Sequence, residues 1–173
     1  MASEYIIIDK GTNQLAYFQD NQLIKVFPVA TGRAPSLTPE GSFKIISKVV
    51  NPIYYKLKIP GGSPYNPLGY RWMGIGGAYG IHGTNNPRSI GTYASAGCIR
   101  MYNKDSYWLF QNVSINTPVK ITSEGENYKN LLLVQQKHKQ EQNQKREIAT
   151  EVSLKSLQVI LGITQPTMMM LNP

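Results

Sequence analysis

The chain has 173 residues, 41% hydrophobic and 16% charged, which suits one buried core with an appended segment and excludes a wholly disordered chain. Its formal charge of +8 is uneven: residues 1–122 hold 12 Lys and Arg against 5 Asp and Glu, while the remainder is nearly balanced. A basic front part favours anionic partners such as acidic cell-surface polymers or carboxylate-rich peptides, whereas no helix-turn-helix signature, zinc-finger spacing or dense basic run supports nucleic acid.

The N-terminus, MASEYIIIDKG, lacks the basic start and apolar run of a secretory signal, and no stretch approaches the roughly 20 apolar residues that span a bilayer. Three β-rich runs follow in quick succession: Tyr5–Ile8, Gln14–Phe18 and Gln22–Phe27. Asp20-Asn21 separates the last two, and both residue types tolerate the positive φ of a tight hairpin. Thr31-Gly32, Pro35 and Pro39 mark a loop, after which the polar/apolar alternation of 41–50 predicts one half-buried strand. From Asn51 to Leu68 four prolines and Gly61-Gly62 rule out a long helix and predict a turn-rich excursion of the kind that frames a cleft.

Strands are expected at 70–75 and 79–82, then a short helix over 103–113 with Asn103 as its cap and Asp105 in its first turn, then a closing strand at 117–122. Tyr70, Trp72 and Tyr93 are candidate cleft walls, although aromatics beside strands more often fill cores. The fold class that results is mainly β, a sandwich or barrel-like sheet with one or two short helices. A polar, helix-forming run at 135–147 opens a different composition, and Ile148, Val152, Leu157, Ile160 and Leu161 are expected to form one loose apolar face. The end, PTMMMLNP, reads as irregular. Residues 4–122 are therefore the expected domain and 123–173 a helical or disordered extension, dispensable for folding.

The chemistry concentrates between Tyr79 and Asp105. Cys98 is the single cysteine, which forbids an intrachain disulfide and a zinc-binding cysteine cluster. His82 lies upstream across a loop of Gly, Ser, Thr, Asn and Pro. A free thiol is only slightly ionised at neutral pH unless a neighbouring imidazole or cation activates it, so Cys98, His82 and Arg100 together make a candidate nucleophilic site. Gly97 permits a tight turn where backbone N–H groups can receive an oxyanion. Taken singly, a cysteine is more often a small buried hydrophobe and a histidine a structural one, and the density of Gly, Ser and Thr around Cys98 and His82 weighs against that. A metal would need three ligands where the segment offers little beyond His82, Cys98 and Asp105, and no metal or other cofactor is expected.

The ordered set His82-Gly83-Thr84 and Ser95-Ala96-Gly97-Cys98-Ile99-Arg100-Met101, with Thr31-Gly32 and Thr38-Pro39-Glu40-Gly41-Ser42-Phe43 upstream, closely resembles the L,D-transpeptidase catalytic domain, the YkuD-like family. The resemblance spans roughly residues 4–122. It implies a peptidoglycan enzyme in which Cys98 attacks the bond between a stem-peptide diamino acid and a terminal D-alanine. A thioester forms, and the side-chain amine of a second stem peptide resolves it into a 3-3 cross-link. His82 is implied as the proton-transfer partner, and the backbone around Gly97 and Cys98 as the oxyanion site. Arg100 either binds a substrate carboxylate or ties the loop to the fold. Ser95, Gly83 and Thr84 are expected to shape the loop around the substrate. The family implies an extracytoplasmic location. An L,D-carboxypeptidase using the same thioester, and a non-catalytic wall-binding module, are the alternatives.

Overall fold

The computed structural model describes residues 3–34 and 37–162. Pro35 and the segment PTMMMLNP lie outside the described residues. The chain opens with β1 (Glu4–Asp9), β2 (Gln14–Gln19) and β3 (Gln22–Pro28), joined by tight turns. Asp20 and Asn21 indeed sit at φ 49° and 60°, so the hairpin turns where the sequence places it. β4 (Thr31–Gly32), β5 (Gly41–Lys44) and β6 (Ser47–Val50) follow, then β7 (Arg71–Gly76), β8 (Tyr79–His82), β9 (Tyr93–Ser95) and β10 (Ile99–Arg100). Helix α1 (Asn103–Asn112), strand β11 (Pro118–Thr122) and helix α2 (Tyr128–Ile160) complete the order.

The strands form two main sheets and a two-stranded ribbon, and they do not close into a barrel. One sheet has the order β3-β2-β1-β11-β5, the other β10-β8-β7-β6, and β4 pairs with β9. β11 runs parallel to β1 and antiparallel to β5, so a strand from late in the domain is locked between two early ones.

The predicted single strand over 41–50 is in fact two strands in different sheets. Ile45 is the corner: it is fully buried, and its N–H donates to the Thr117 carbonyl, while the Ile46 N–H donates to Gly74 in the other sheet. Polar/apolar alternation continues through such a crossover, because both sheets present an inner face to one core. That core holds Ile6, Ile8, Leu15, Phe27, Ile45, Met73, Ile81, Ile99, Met101, Leu109 and Ile121. α1 lies against β7 and β8 and contributes Leu109, completely buried. Fully burying a side chain of this size is worth about 1.5–3 kcal/mol.

The first compact unit runs to Leu132. Past Thr122 the chain stays attached to it: Glu126 N–H donates to Asp9 Oδ2 at 2.7 Å, and the Tyr128 ring meets Phe18 edge-on at 6.2 Å. From Leu133 a second unit begins, the body of α2. At 100° per residue, Ile148 and Val152 fall on one side of this helix, Leu157 and Leu161 nearly opposite, and Ile160 between them. These residues therefore do not make the single apolar face expected from their sequence. No helix among the described residues is long and apolar enough to cross a membrane.

Candidate active site

β8 sends alternate side chains to opposite faces. Ile81 enters the core, so Gly80 and His82 face outward from it. β10 lies parallel beside β8, with Ile99 opposite Ile81 and Arg100 opposite His82. Arg100 therefore shares the face that carries His82, and Cys98, in the bend just before β10, lines a cleft together with Trp72. On the other side of β8, β7 sets Trp72 opposite His82, and the two rings stack with centroids 5.5 Å apart and planes 17° from parallel. Gly80 makes this possible, since a Cβ there would come within 2.5 Å of the indole.

Cys98 is half-buried and lines a cleft of about 610 Å3. Trp72 and Ala78 line it with the cysteine, and so do Pro52, Ile53, Tyr54, Tyr55 and Leu68 from the 51–68 excursion. The excursion frames a cleft, as its prolines and glycines suggested. Trp72 lines it, whereas Tyr93 lines a separate cavity with Lys10, Arg33 and Glu40. Burial pushes the Cys98 thiol above its ordinary pKa, with the Gly80 N–H and the Arg100 charge pulling the other way.

His82 is only 3% exposed. Its Nδ1 lies 2.6 Å from the Gly83 carbonyl oxygen, which can only accept, so Nδ1 carries the proton and Nε2 keeps a lone pair. Burial, opposed by this hydrogen bond and aided by the Arg100 charge, lowers the imidazole pKa to about 4. At neutral pH the site therefore rests as a neutral thiol and a neutral imidazole rather than an ion pair.

The other predicted residues arrange the loops. Ser95, 1% exposed, accepts the Gly97 N–H on Oγ at 2.9 Å. Thr84 Oγ1 accepts the Asn86 N–H at 3.0 Å. Gly97 has φ 132°, and a Cβ there would lie 2.5 Å from the Leu37 carbonyl oxygen. The Arg100 backbone exchanges two 2.9 Å hydrogen bonds with Ala30, which ties the loop to the fold through the main chain. Its guanidinium donates no hydrogen bond to a described residue.

Asn103 corrects an expectation. The helix cap is Tyr102, without a side-chain cap bond, and Asn103 is the first helical residue. Its Oδ1 instead accepts the Thr84 N–H at 3.0 Å and presses on Gly83, where any Cβ would collide with it. Asn103 thus buttresses the turn whose carbonyl orients His82. Asp105 does occupy the first turn of α1. Among the described residues, no group of three His, Cys, Asp or Glu is placed to hold a metal ion.

A family model of the L,D-transpeptidase catalytic domain, YkuD, matches residues 3–121. The chain belongs to this family. It is 45% identical over 135 residues to the putative L,D-transpeptidase YqjB of Bacillus subtilis, a match covering 75% of this chain and 77% of that one. It is 40% identical over 118 residues to the putative L,D-transpeptidase YkuD of the same organism, covering 68% of this chain but only 65% of YkuD, just under two thirds. Among solved structures, the catalytic domain of the Enterococcus faecium L,D-transpeptidase superposes with a TM-score of 0.56 at 25% identity, covering 70% of this chain and 98% of that domain. A Mycobacterium tuberculosis L,D-transpeptidase superposes with a TM-score of 0.58 at 20% identity, over 69% of this chain and 57% of that one, and speaks for the fold alone.

Within the L,D-transpeptidase frame, three contributors escaped the sequence reading. Gly80 and Asn103 are described above. The third is Thr38, quoted only as part of a motif, which reaches the Gly97 carbonyl from a distant loop. Asn103 and Gly80 carried no signal apart from their types, because their partners, Thr84 and Trp72, are set by tertiary packing.

Proposed function

We propose that this protein is a cysteine L,D-transpeptidase that joins peptidoglycan stem peptides through a thioester on Cys98. The observation that carries the reading is the neutral, Nδ1-protonated His82 stacked on Trp72, a ring that lines the same peptide-sized cleft as the Cys98 thiol. As Cys98 Sγ attacks the carbonyl carbon between the diamino acid and D-alanine, Nε2 of His82 takes the thiol proton. The carbonyl electron pair moves to oxygen, where the Cys98 N–H donates to it. Collapse breaks the C–N bond, and His82 returns the proton to the departing D-alanine amine. A second stem's side-chain amine then attacks the thioester carbonyl, His82 takes a proton from that amine, and as the C–S bond breaks His82 returns the proton to Cys98 Sγ, which yields a 3-3 cross-link and the free thiol. Arg100, whose guanidinium points its charge at this face, is suited to a substrate carboxylate.

Incubating separate samples of the purified chain with a carbapenem and with a disaccharide-tetrapeptide, and measuring intact mass, tests the reading. The wild type is expected to gain one adduct and Cys98→Ala none. A folded wild type without an adduct, or an adduct that persists in the alanine variant, overturns it. Cross-linked dimer among the products marks a transpeptidase, and tripeptide alone marks a carboxypeptidase.

A further inference from the structure

Gly97 is held from both sides by buried hydroxyls. Ser95 Oγ accepts its N–H, and Thr38 Oγ1 donates to its carbonyl oxygen at 2.9 Å. Thr38 is fully buried, and the same Oγ1 accepts the Gly32 N–H at 2.8 Å, so both roles of the hydroxyl are in use. Its main-chain carbonyl accepts from Lys10 Nζ at 2.9 Å, and that ammonium also pairs with Glu40 at 3.0 Å. Thr38 is therefore fastened to the end of β1, to β4 and to the cysteine loop at once. Its Oγ1 is the side-chain atom that fixes where the Gly97 carbonyl points.

A trans peptide is planar, with its C=O and N–H directed oppositely. The bond from Thr38 to the Gly97 oxygen consequently sets the direction of the Cys98 N–H on the far side of the same plane. That N–H donates to no described residue.

We infer that Thr38 is a positioning residue for acylation: by holding the Gly97 carbonyl, it aims the Cys98 N–H at the oxygen that becomes negative when Cys98 attacks. The inference rests on the transpeptidase reading. In the step concerned, the S–C bond forms, the C=O π pair moves to oxygen, and the aimed N–H donates to that oxygen until the C–N bond breaks. Reactions of the thiol that develop no oxyanion need no such aim.

This difference supplies the test. Thr38→Val keeps the shape and removes the hydroxyl, and Thr38→Ser keeps the hydroxyl. For each, acylation by a carbapenem and alkylation by iodoacetamide are timed at one pH, with a thermal melt as a check on folding. Removing a main oxyanion contact costs about 100-fold or more in rate. Thr38→Val is expected to slow acylation about 30- to 100-fold on that scale while leaving alkylation within about twofold, and Thr38→Ser to recover acylation to within about threefold. Parallel slowing of both reactions, unchanged acylation, or failure of the serine variant to recover overturns the inference. If Thr38→Val does not fold, Thr38→Ala carries the same comparison. A wild type that alkylates but never acylates overturns the transpeptidase reading, and the role of Thr38 with it. A wild type that acylates, with Thr38→Val equally fast, overturns the role alone.

Discussion

The segment from Tyr79 to Met101, which reaches the cleft through Cys98, and the excursion from Asn51 to Leu68, which lines it through Pro52 to Lys56 and Leu68, are built on opposite principles. In the first, the proposed proton-transfer residue is buried and locked: His82 is 3% exposed, stacked on Trp72, hydrogen-bonded to the Gly83 carbonyl, and backed by the Met101 N–H on its own carbonyl. In the second, Tyr55 and Tyr65 are 80% and 78% exposed, and a buried amide links distant parts of the loop. Asn66 donates to the carbonyls of Pro52 and Pro60 and accepts the Leu68 N–H. Under the proposed function, the first wall carries the reaction and the second holds the peptide. Changes on the first wall should appear in the chemical step, and changes on the second in substrate capture.

The sharpest break of that division is His82→Ala. It is expected to slow acylation by about 10²–10⁴-fold at neutral pH while Cys98 still alkylates, and unchanged acylation kinetics would remove its proton-transfer role.

The same histidine makes folding acid-sensitive. Its pKa is lowered in the folded chain, from 6.5 to about 4, so the unfolded chain binds the proton first as pH falls. Stability is complete above about 6.5 and drains away towards pH 4, by about 2 kcal/mol at pH 5 for this group. Denaturant melts of wild type and His82→Gln at pH 7 and 5 read it: the wild type should lose more than the variant, and equal losses would show an imidazole that protonates freely.

On the other wall, Asn66→Ala strands the buried Pro52 carbonyl at a cost of about 1–3 kcal/mol. Its effect should be a rise of about 5- to 10-fold in the KM for donor peptide with kcat nearly constant. A fall in kcat instead would mean that the excursion takes part in the chemical step. Tyr55→Ala, at the outer rim, should raise KM by about two- to threefold and leave carbapenem acylation unchanged. Steady-state kinetics on both variants measure the split.

Much of this was legible from residue types. β1, β2 and β3 announce themselves by dense β-branched and aromatic residues, and Asp20-Asn21 by the positive φ that both accept. His82 and Cys98 were legible as an ordered motif. The split of 41–50 was hidden because a strand that changes sheets at Ile45 keeps the same alternation on both sides of the corner. Asn103 was misread for a related reason: an asparagine before an apolar run suits a cap, and its true acceptor duty, to Thr84, depends on a contact 19 residues away. Thr38 lies 59 residues from the carbonyl it grips, a pairing that no local pattern encodes.

Burial of the Cys98 thiol has a consequence for how long the protein lasts. Peroxides attack thiolates, and a thiol whose pKa is raised holds little thiolate at neutral pH. The single cysteine also leaves no second thiol in the chain with which to form a mispaired crosslink. The Cys98 thiol is expected to oxidise slowly in peroxide at neutral pH and faster as the pH rises, which the loss of free thiol with time measures.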